Sequence, residues 1–247
     1  MGKKISILQS NYIPWKGYFD IINAVDEFVI YDDMQYTKND WRNRNKIKTN
    51  QGVQWLTVPV RIDSLSQTIR ETRTAADVWR SKHAKTLSMA YSKSRCFGQI
   101  WPLLEPLYAG RGGDSLSDIN FSFIQAVNSV LEISTRLTWS SDYKLIGDRN
   151  ERLANLCLQA GADEYVTGPS ALDYMDPEVF RRAGIRVMVV DYSGYPQYPQ
   201  LHPPFEHAVS ALDLLFNEGK DARKYMKSFP EARADQPFLR EAFRPSS

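Results

Sequence analysis

Asp32 and Asp33 stand side by side where the apolar run Phe28-Val29-Ile30-Tyr31 ends, and a mixed stretch of cations, amides and one indole follows, Lys38-Asn39-Asp40-Trp41-Arg42-Asn43-Arg44-Asn45-Lys46. A carboxylate can take a proton from an amine or hydroxyl, a guanidinium can hold phosphate or carboxylate through two parallel bonds, and an indole offers a flat apolar face to a sugar or base. Neighbouring residues at a strand end point to opposite faces, so only one aspartate can serve a given pocket. The structural alternative is that one caps a turn while the other pairs with Lys38 or Arg44. An earlier run, Ile5-Ser6-Ile7-Leu8, opens into Gln9-Ser10-Asn11-Tyr12-Ile13-Pro14-Trp15. There the amides of Gln9 and Asn11 can fix a ligand hydroxyl or donate to an oxyanion, or they can satisfy backbone groups of the turn before Pro14. Thr167-Gly168-Pro169-Ser170 can cradle an anion with backbone amides and the Ser170 hydroxyl, with Tyr174 close behind.

Other signatures are missing. The chain holds no GxGxxG, no GxxxxGK[ST] and no GxSxG. His83, His202 and His207 are scattered and read as structural, and no metal triad is visible. Cys157 falls on the apolar face of a helix, and Cys96 has no partner in sequence.

Strand-like runs at 5–9, 27–33, 55–60, 137–142, 164–168 and 185–192 alternate with helical patterns, which predicts an α/β fold with a largely parallel sheet flanked by helices. Ligands of such folds sit at the carboxyl ends of the strands, where the residues above cluster. Helices are expected at 16–25, 77–92, 115–131 with Ser115 and Asp118 as its capping box, after Asp148 up to Gly161, after Asp176-Pro177, and near 206–217 up to Gly219. The Pro/Tyr stretch 192–204 should cross the surface. Residues 1–228 read as one α/β domain, with 77–132 as a possible helical insertion and 229–247 as a loosely held tail.

Composition bounds the rest. With 247 residues and 43% hydrophobic content the chain can bury a real core. A formal charge of +2 gives no global reason to expect nucleic acid, although residues 38–48 carry five cations against one acid, Asp40. Two cysteines without a CxxC pair argue against a disulfide framework or structural zinc. No apolar run approaches a membrane span and no signal peptide is apparent, so a cytoplasmic location is expected.

The stretch Gln9 to Asp20, then Phe28 through Tyr36, Trp41, Asn43-Arg44, Trp55-Leu56-Thr57-Val58-Pro59-Val60, and further on Ser140-Ser141, Gly161-Ala162-Asp163-Glu164-Tyr165 and the Tyr174 region, resembles the WbqC-like proteins over nearly the whole chain. Met34 departs conservatively from the β-branched residue usual after the Asp pair. The family occurs among surface-polysaccharide and secondary-metabolite pathways. The resemblance therefore implies a transferase, most directly one moving an acyl or aminoacyl group from a thioester on coenzyme A or a carrier protein to a nucleotide-linked amino sugar, with no metal or redox cofactor required. In that scheme Asp32 or Asp33 accepts the amine proton and Gln9 or Asn11 donates to the oxyanion. Tyr12, Trp15, Asp20, Gln35, Tyr36, Lys38, Trp41, Asn43, Arg44, Asn45, Lys46, Ser170 and Tyr174 are the expected substrate contacts, with Arg44, Lys38 and Lys46 on the pyrophosphate. The opening also looks like a nucleotidylyltransferase, but Pro14-Trp15-Lys16-Gly17 occupies the place of that family's HxGH loop. A non-catalytic ligand-binding or scaffold protein of the same pathway is the third expectation.

Overall fold

Apolar side chains alternate along the central strands, and that alternation sends them into two separate cores. In the computed structural model, which describes residues 2–110, 113–233 and 237–243, Ile5 and Ile7 of β1 (Lys4–Leu8) face the same side as Val29 and Tyr31, whereas Phe28 and Ile30 of β2 (Glu27–Ile30) face the other. The result is a three-layer α/β arrangement. The six-stranded sheet runs β5-β2-β1-β6-β7-β8, with β5 at Arg136–Trp139, β6 at Glu164–Thr167, β7 at Arg186–Val190 and β8 at Leu239–Glu241. Its first five strands are parallel and β8 is antiparallel at the edge.

One face is covered by α1 (Lys16–Asn23), α4 (Leu116–Leu131) and α7 (Ala211–Glu218), through Phe19, Ile22, Phe123, Val127, Leu212 and Phe216. The other is covered by α5 (Arg149–Gln159) and α6 (Pro177–Arg182), through Leu153, Leu156, Cys157 and Phe180. Burial among these side chains pushes the Cys157 thiol up to about 12. The chain leaves β1 toward β2 on one side and enters β6 and β7 on the other, so strand order reverses between β1 and β6. That switch point is where an open α/β sheet offers a crevice.

Several expectations change in detail. The run at 55–60 lies outside the main sheet: β4 (Gly52–Thr57) pairs with β3 (Arg44–Thr49) in a separate hairpin, with Lys46 opposite Trp55. Helix α2 (Val78–Tyr91) and α4 occupy the expected segments, and Ser115 Oγ caps α4 by accepting from Asp118 N at 3.3 Å. Between them lies an unanticipated helix, α3 (Phe97–Ala109), which contains Pro102 and Pro106. These prolines sit four apart on its solvent side, so the carbonyls they leave unbonded face water. The 192–204 stretch buries Tyr195 and Tyr198 instead of merely crossing the surface. The supposed tail is also tied down, with Phe229 and Phe238 buried and Leu239–Glu241 paired to β7. Its residues 234–236 and 244–247 lie outside the described residues.

Candidate functional site

Two loops close on each other beyond the end of β1. Tyr12 N donates to Trp41 O at 3.0 Å and Arg42 Nη1 donates to Asn11 Oδ1. Asn45 Nδ2 donates to the carbonyls of Tyr12 (3.1 Å) and Ile13 (3.0 Å). This grip has a purpose in local terms, because Ile13 is held at φ 38°, a left-handed conformation that a β-branched residue adopts only when its surroundings impose it. A third loop joins when Ser210 N donates to Lys46 O and Ala211 N to Pro14 O, each at 2.8 Å. The three loops enclose a cleft of about 330 Å³ lined by Asn11, Trp15, Trp41, Asn45, His207 and Ala208.

The walls are aromatic. The Trp15 ring lies back over Gly17, where a Cβ would sit 2.3 Å from Cζ2, and it meets Tyr192 and Tyr195 edge-on at 4.9 and 5.6 Å. Trp41 is 42% exposed and leans on Trp55, itself 40% exposed, with ring centres 5.4 Å apart. The Arg44 guanidinium stands 4.3 Å from the Trp55 ring centre and Lys46 Nζ 5.1 Å. Exposed rings flanked by cations are a surface to which a flat, anionic ligand is attracted. His207 packs edge-on against Phe205 at 4.6 Å, and its ring nitrogens have no hydrogen-bond partner among the described residues. Burial, then the nearby Lys16 charge, lowers its pKa, which favours a neutral imidazole.

Of the residues expected from sequence, Asn11, Trp15, Trp41 and Asn45 line this cleft, and Arg44 and Lys46 stand at its Trp55 side. Others are placed in the packed interior. Asp32 is 1% exposed and accepts from Ser10 N (2.8 Å), Ser10 Oγ (2.7 Å) and Ser117 Oγ, so it ties the β1 loop to α4; burial raises its pKa against those bonds. Asp33 points the other way and accepts from Ser140 Oγ, which agrees with opposite faces for the pair but puts neither on the cleft lining. Tyr12 is fully buried, its hydroxyl 2.9 Å from both His83 Nδ1 and the Tyr108 hydroxyl. It therefore cannot flank a ligand in this conformation. Asp20 is likewise buried, accepting from Lys227 N, Ser228 N, Ser228 Oγ and Tyr195 Oη. Asn43 Nδ2 donates to Val58 O at 2.8 Å within the hairpin base.

Gln9 lends its carbonyl to Tyr18 Oη (3.1 Å), Gln35 donates to Leu65 O (2.6 Å), and Tyr36 is buried with its N bonded to Gln67 O. Lys38 is exposed. Ser170 and Tyr174 lie on the α5 side of the sheet, where the Arg149 guanidinium covers the Tyr174 ring at 3.3 Å. None of these belongs to the cleft lining.

Sequence reasoning passed over His207 and Ala208, and it gave Arg42 and Trp55 no site role. The hairpin was the available clue for Trp55: Asn50-Gln51-Gly52 is a turn sequence, and pairing across it sets Trp55 beside Lys46. Nothing near His207 marks it, since its place depends on the long-range contact of Ser210 with β3. Among the described residues no group of three or more His, Cys, Asp or Glu could hold a metal ion, and no helix is long and apolar enough to cross a membrane.

Fold and cleft together define a three-layer α/β protein with a pocket built by loops beyond the end of β1. The chain belongs to the WbqC-like protein family, whose model matches residues 9–225. It is 53% identical over 226 residues, covering 91% of this chain and 98% of the relative, to the protein described as uncharacterized protein Rv1507c of Mycobacterium tuberculosis (strain ATCC 25618 / H37Rv). No solved structure matches.

Proposed function

We propose that this chain is a cytoplasmic transferase of surface-polysaccharide or secondary-metabolite biosynthesis, which moves an acyl or aminoacyl group from a thioester to the amine of a nucleotide-linked amino sugar. One observation carries the reading: the cleft combines aromatic walls, amide groups and an unbonded imidazole, and cations stand against the Trp55 ring beside it. Trp41 supplies a face for a sugar or base, and the five cations of residues 38–48 give the region a positive field that favours a diphosphate. The amine attacks the thioester carbonyl, the new C–N bond forms, and the thiolate leaves as the tetrahedral oxyanion collapses. Asn11 Nδ2, which has no partner among the described residues, is the donor available to that oxyanion.

The amine proton needs an acceptor, and here the reading departs from the aspartates. Asp32 has its carboxylate filled by Ser10 and Ser117, whereas His207, whose pKa burial lowers, stands on the cleft wall with no hydrogen-bond partner among the described residues. His207 takes that role. Calorimetric titration with a panel of nucleotide-linked sugars, followed by incubation with acyl and aminoacyl thioesters, tests the proposal. The expected result is binding of a nucleotide-linked amino sugar and its conversion with release of free thiol. Binding without turnover under every donor would make this a ligand-binding protein, and no binding by any member of the panel would overturn the reading.

A further inference from the structure

We propose that Arg42, rather than Arg44 or Lys46, receives the anionic group of the ligand, a phosphate or a carboxylate. This deepens the reading above and rests on it for the ligand's identity. The Arg42 side chain is only 15% exposed, and its sole ion pair among the described residues, to Asp40 Oδ2, is 3.8 Å long. Asp40 is already engaged, accepting from Thr37 Oγ1 at 2.6 Å and from Trp41 N at 2.7 Å. Asp32, the other carboxylate whose charge Arg42 meets, is filled by Ser10 and Ser117.

A guanidinium carries five N–H donors. Here Nη1 donates to Asn11 Oδ1, while Nε is buried without a partner among the described residues. Asn43 Oδ1, one residue on, and Asn120 Oδ1, whose Nδ2 is bonded to the Arg42 carbonyl at 2.9 Å, are likewise buried without a partner among the described residues. Buried groups left unsatisfied are uncommon in native folds and mark places where something else binds. A cation taken largely out of water with no close counterion attracts an anion far more strongly than one in solvent does. Its hydrogen-bond partner Asn11 and its chain neighbour Trp41 both line the cleft, so the anion would lie beside the ring that stacks on the Trp41 face. Arg44, by contrast, is held over the Trp55 ring, 4.3 Å from its centre. Asn11 Oδ1 acts as the positioning group that orients the guanidinium.

The test uses the full chain and simple probes, inorganic pyrophosphate and glucuronate, titrated calorimetrically at low salt into the wild type, Arg42→Gln, Arg42→Lys and Arg44→Gln. Pyrophosphate should bind the wild type at one site, weaken by about tenfold or more in Arg42→Gln and by less in Arg42→Lys, and change little in Arg44→Gln. The same pattern with glucuronate alone would assign the subsite to a carboxylate. If Arg42→Gln does not fold, as judged by its melting curve, Arg42→Lys and Asn11→Ala carry the comparison, each expected to weaken binding several-fold. Unaltered affinity in the Arg42 variants, or no binding of either probe by the wild type, overturns the proposal. Binding of pyrophosphate that depends on Arg42, with nucleotide sugars no tighter than pyrophosphate itself, would keep this subsite and sink the nucleotide-sugar reading instead.

Discussion

His83 and His207 both sit among aromatic rings close to the loop that leaves β1, yet their surroundings are opposites. His83 touches Tyr12, Trp79 and Tyr108, its Nδ1 is hydrogen-bonded to the Tyr12 hydroxyl, and it is also bonded to the Thr57 backbone. Burial lowers its pKa to about 4. His207 has a ring neighbour, Phe205, but no hydrogen bond among the described residues, and it opens on a cleft. Adjacent residues are divided between the two regions: Tyr12 completes the closed cluster while Asn11 faces the open one. The difference teaches that residue type alone does not distinguish a site from a core. What distinguishes them here is whether the polar atoms are already spoken for.

The sharpest break of that comparison targets a saturated residue that resembles a catalytic one. Asp32→Ala should destabilise the protein by ~1–3 kcal/mol for each donor it strands in the interior, Ser10 N, Ser10 Oγ and Ser117 Oγ, as read by urea unfolding. A variant as stable as wild type but inactive would return Asp32 to the catalytic column. The next effect is a pH dependence. Because the folded pKa of His83 lies below its unfolded value near 6.5, the unfolded chain binds the extra proton first as pH falls, so stability is full above about 6.5 and drains away toward about 4. The loss from this group should approach ~3 kcal/mol at the acid end of that window, given a shift from 6.5 to about 4. The buried carboxylates Asp20, Asp32 and Asp213, with raised pKa values, act in the opposite direction. Comparing His83→Gln with wild type therefore isolates the histidine, and equal acid sensitivity in the two proteins would refute its role.

Smaller effects separate binding from stability. Trp41→Ala should weaken nucleotide-sugar affinity by ~1–3 kcal/mol, the range of base–aromatic stacking, with the melting temperature nearly unchanged. Tyr12→Phe should do the reverse, lowering stability by ~1 kcal/mol through the lost hydroxyl contacts and leaving affinity alone. The smallest change is expected for Arg44→Ala, below ~1 kcal/mol in affinity, since that cation rests on an exposed ring. An Arg44 loss larger than that of Trp41 would relocate the ligand to the Trp55 ring.

Much of the fold was legible because its signals are local. Apolar runs marked β1, β2, β6 and β7, and Asp148 with Glu151 announced α5, where Asp148 Oδ1 accepts from Asn150 N and Glu151 N. Two elements were hidden for local reasons as well. Helix α3 carries prolines that normally end a helix, and β3 alternates Arg44, Lys46 and Lys48 with Asn45 and Ile47, so its charges read as a loop. The site was harder, because three loops far apart in the chain build it. Asn11, Trp15, Trp41 and Asn45 were named from residue type. Tyr12, Asp20 and Asp32 have the same types and lie in the same segments, and only tertiary hydrogen bonds reveal that they are occupied. Partners of that kind, from residues 71, 175 and 22 positions away, leave no mark in a local window.

The Asp20 carboxylate sets an order of events for the newborn chain. Its donors, the Tyr195 hydroxyl and the amides of Lys227 and Ser228, are synthesised 175, 207 and 208 residues after it. During translation the first helix can form but cannot settle against the sheet with that charge satisfied until nearly the whole polypeptide has left the ribosome. A chain tethered to the ribosome with residues 225–228 still inside the exit tunnel should therefore keep its first helix accessible to protease, whereas one extended by a C-terminal linker long enough to bring Ser228 out of the tunnel should show it protected.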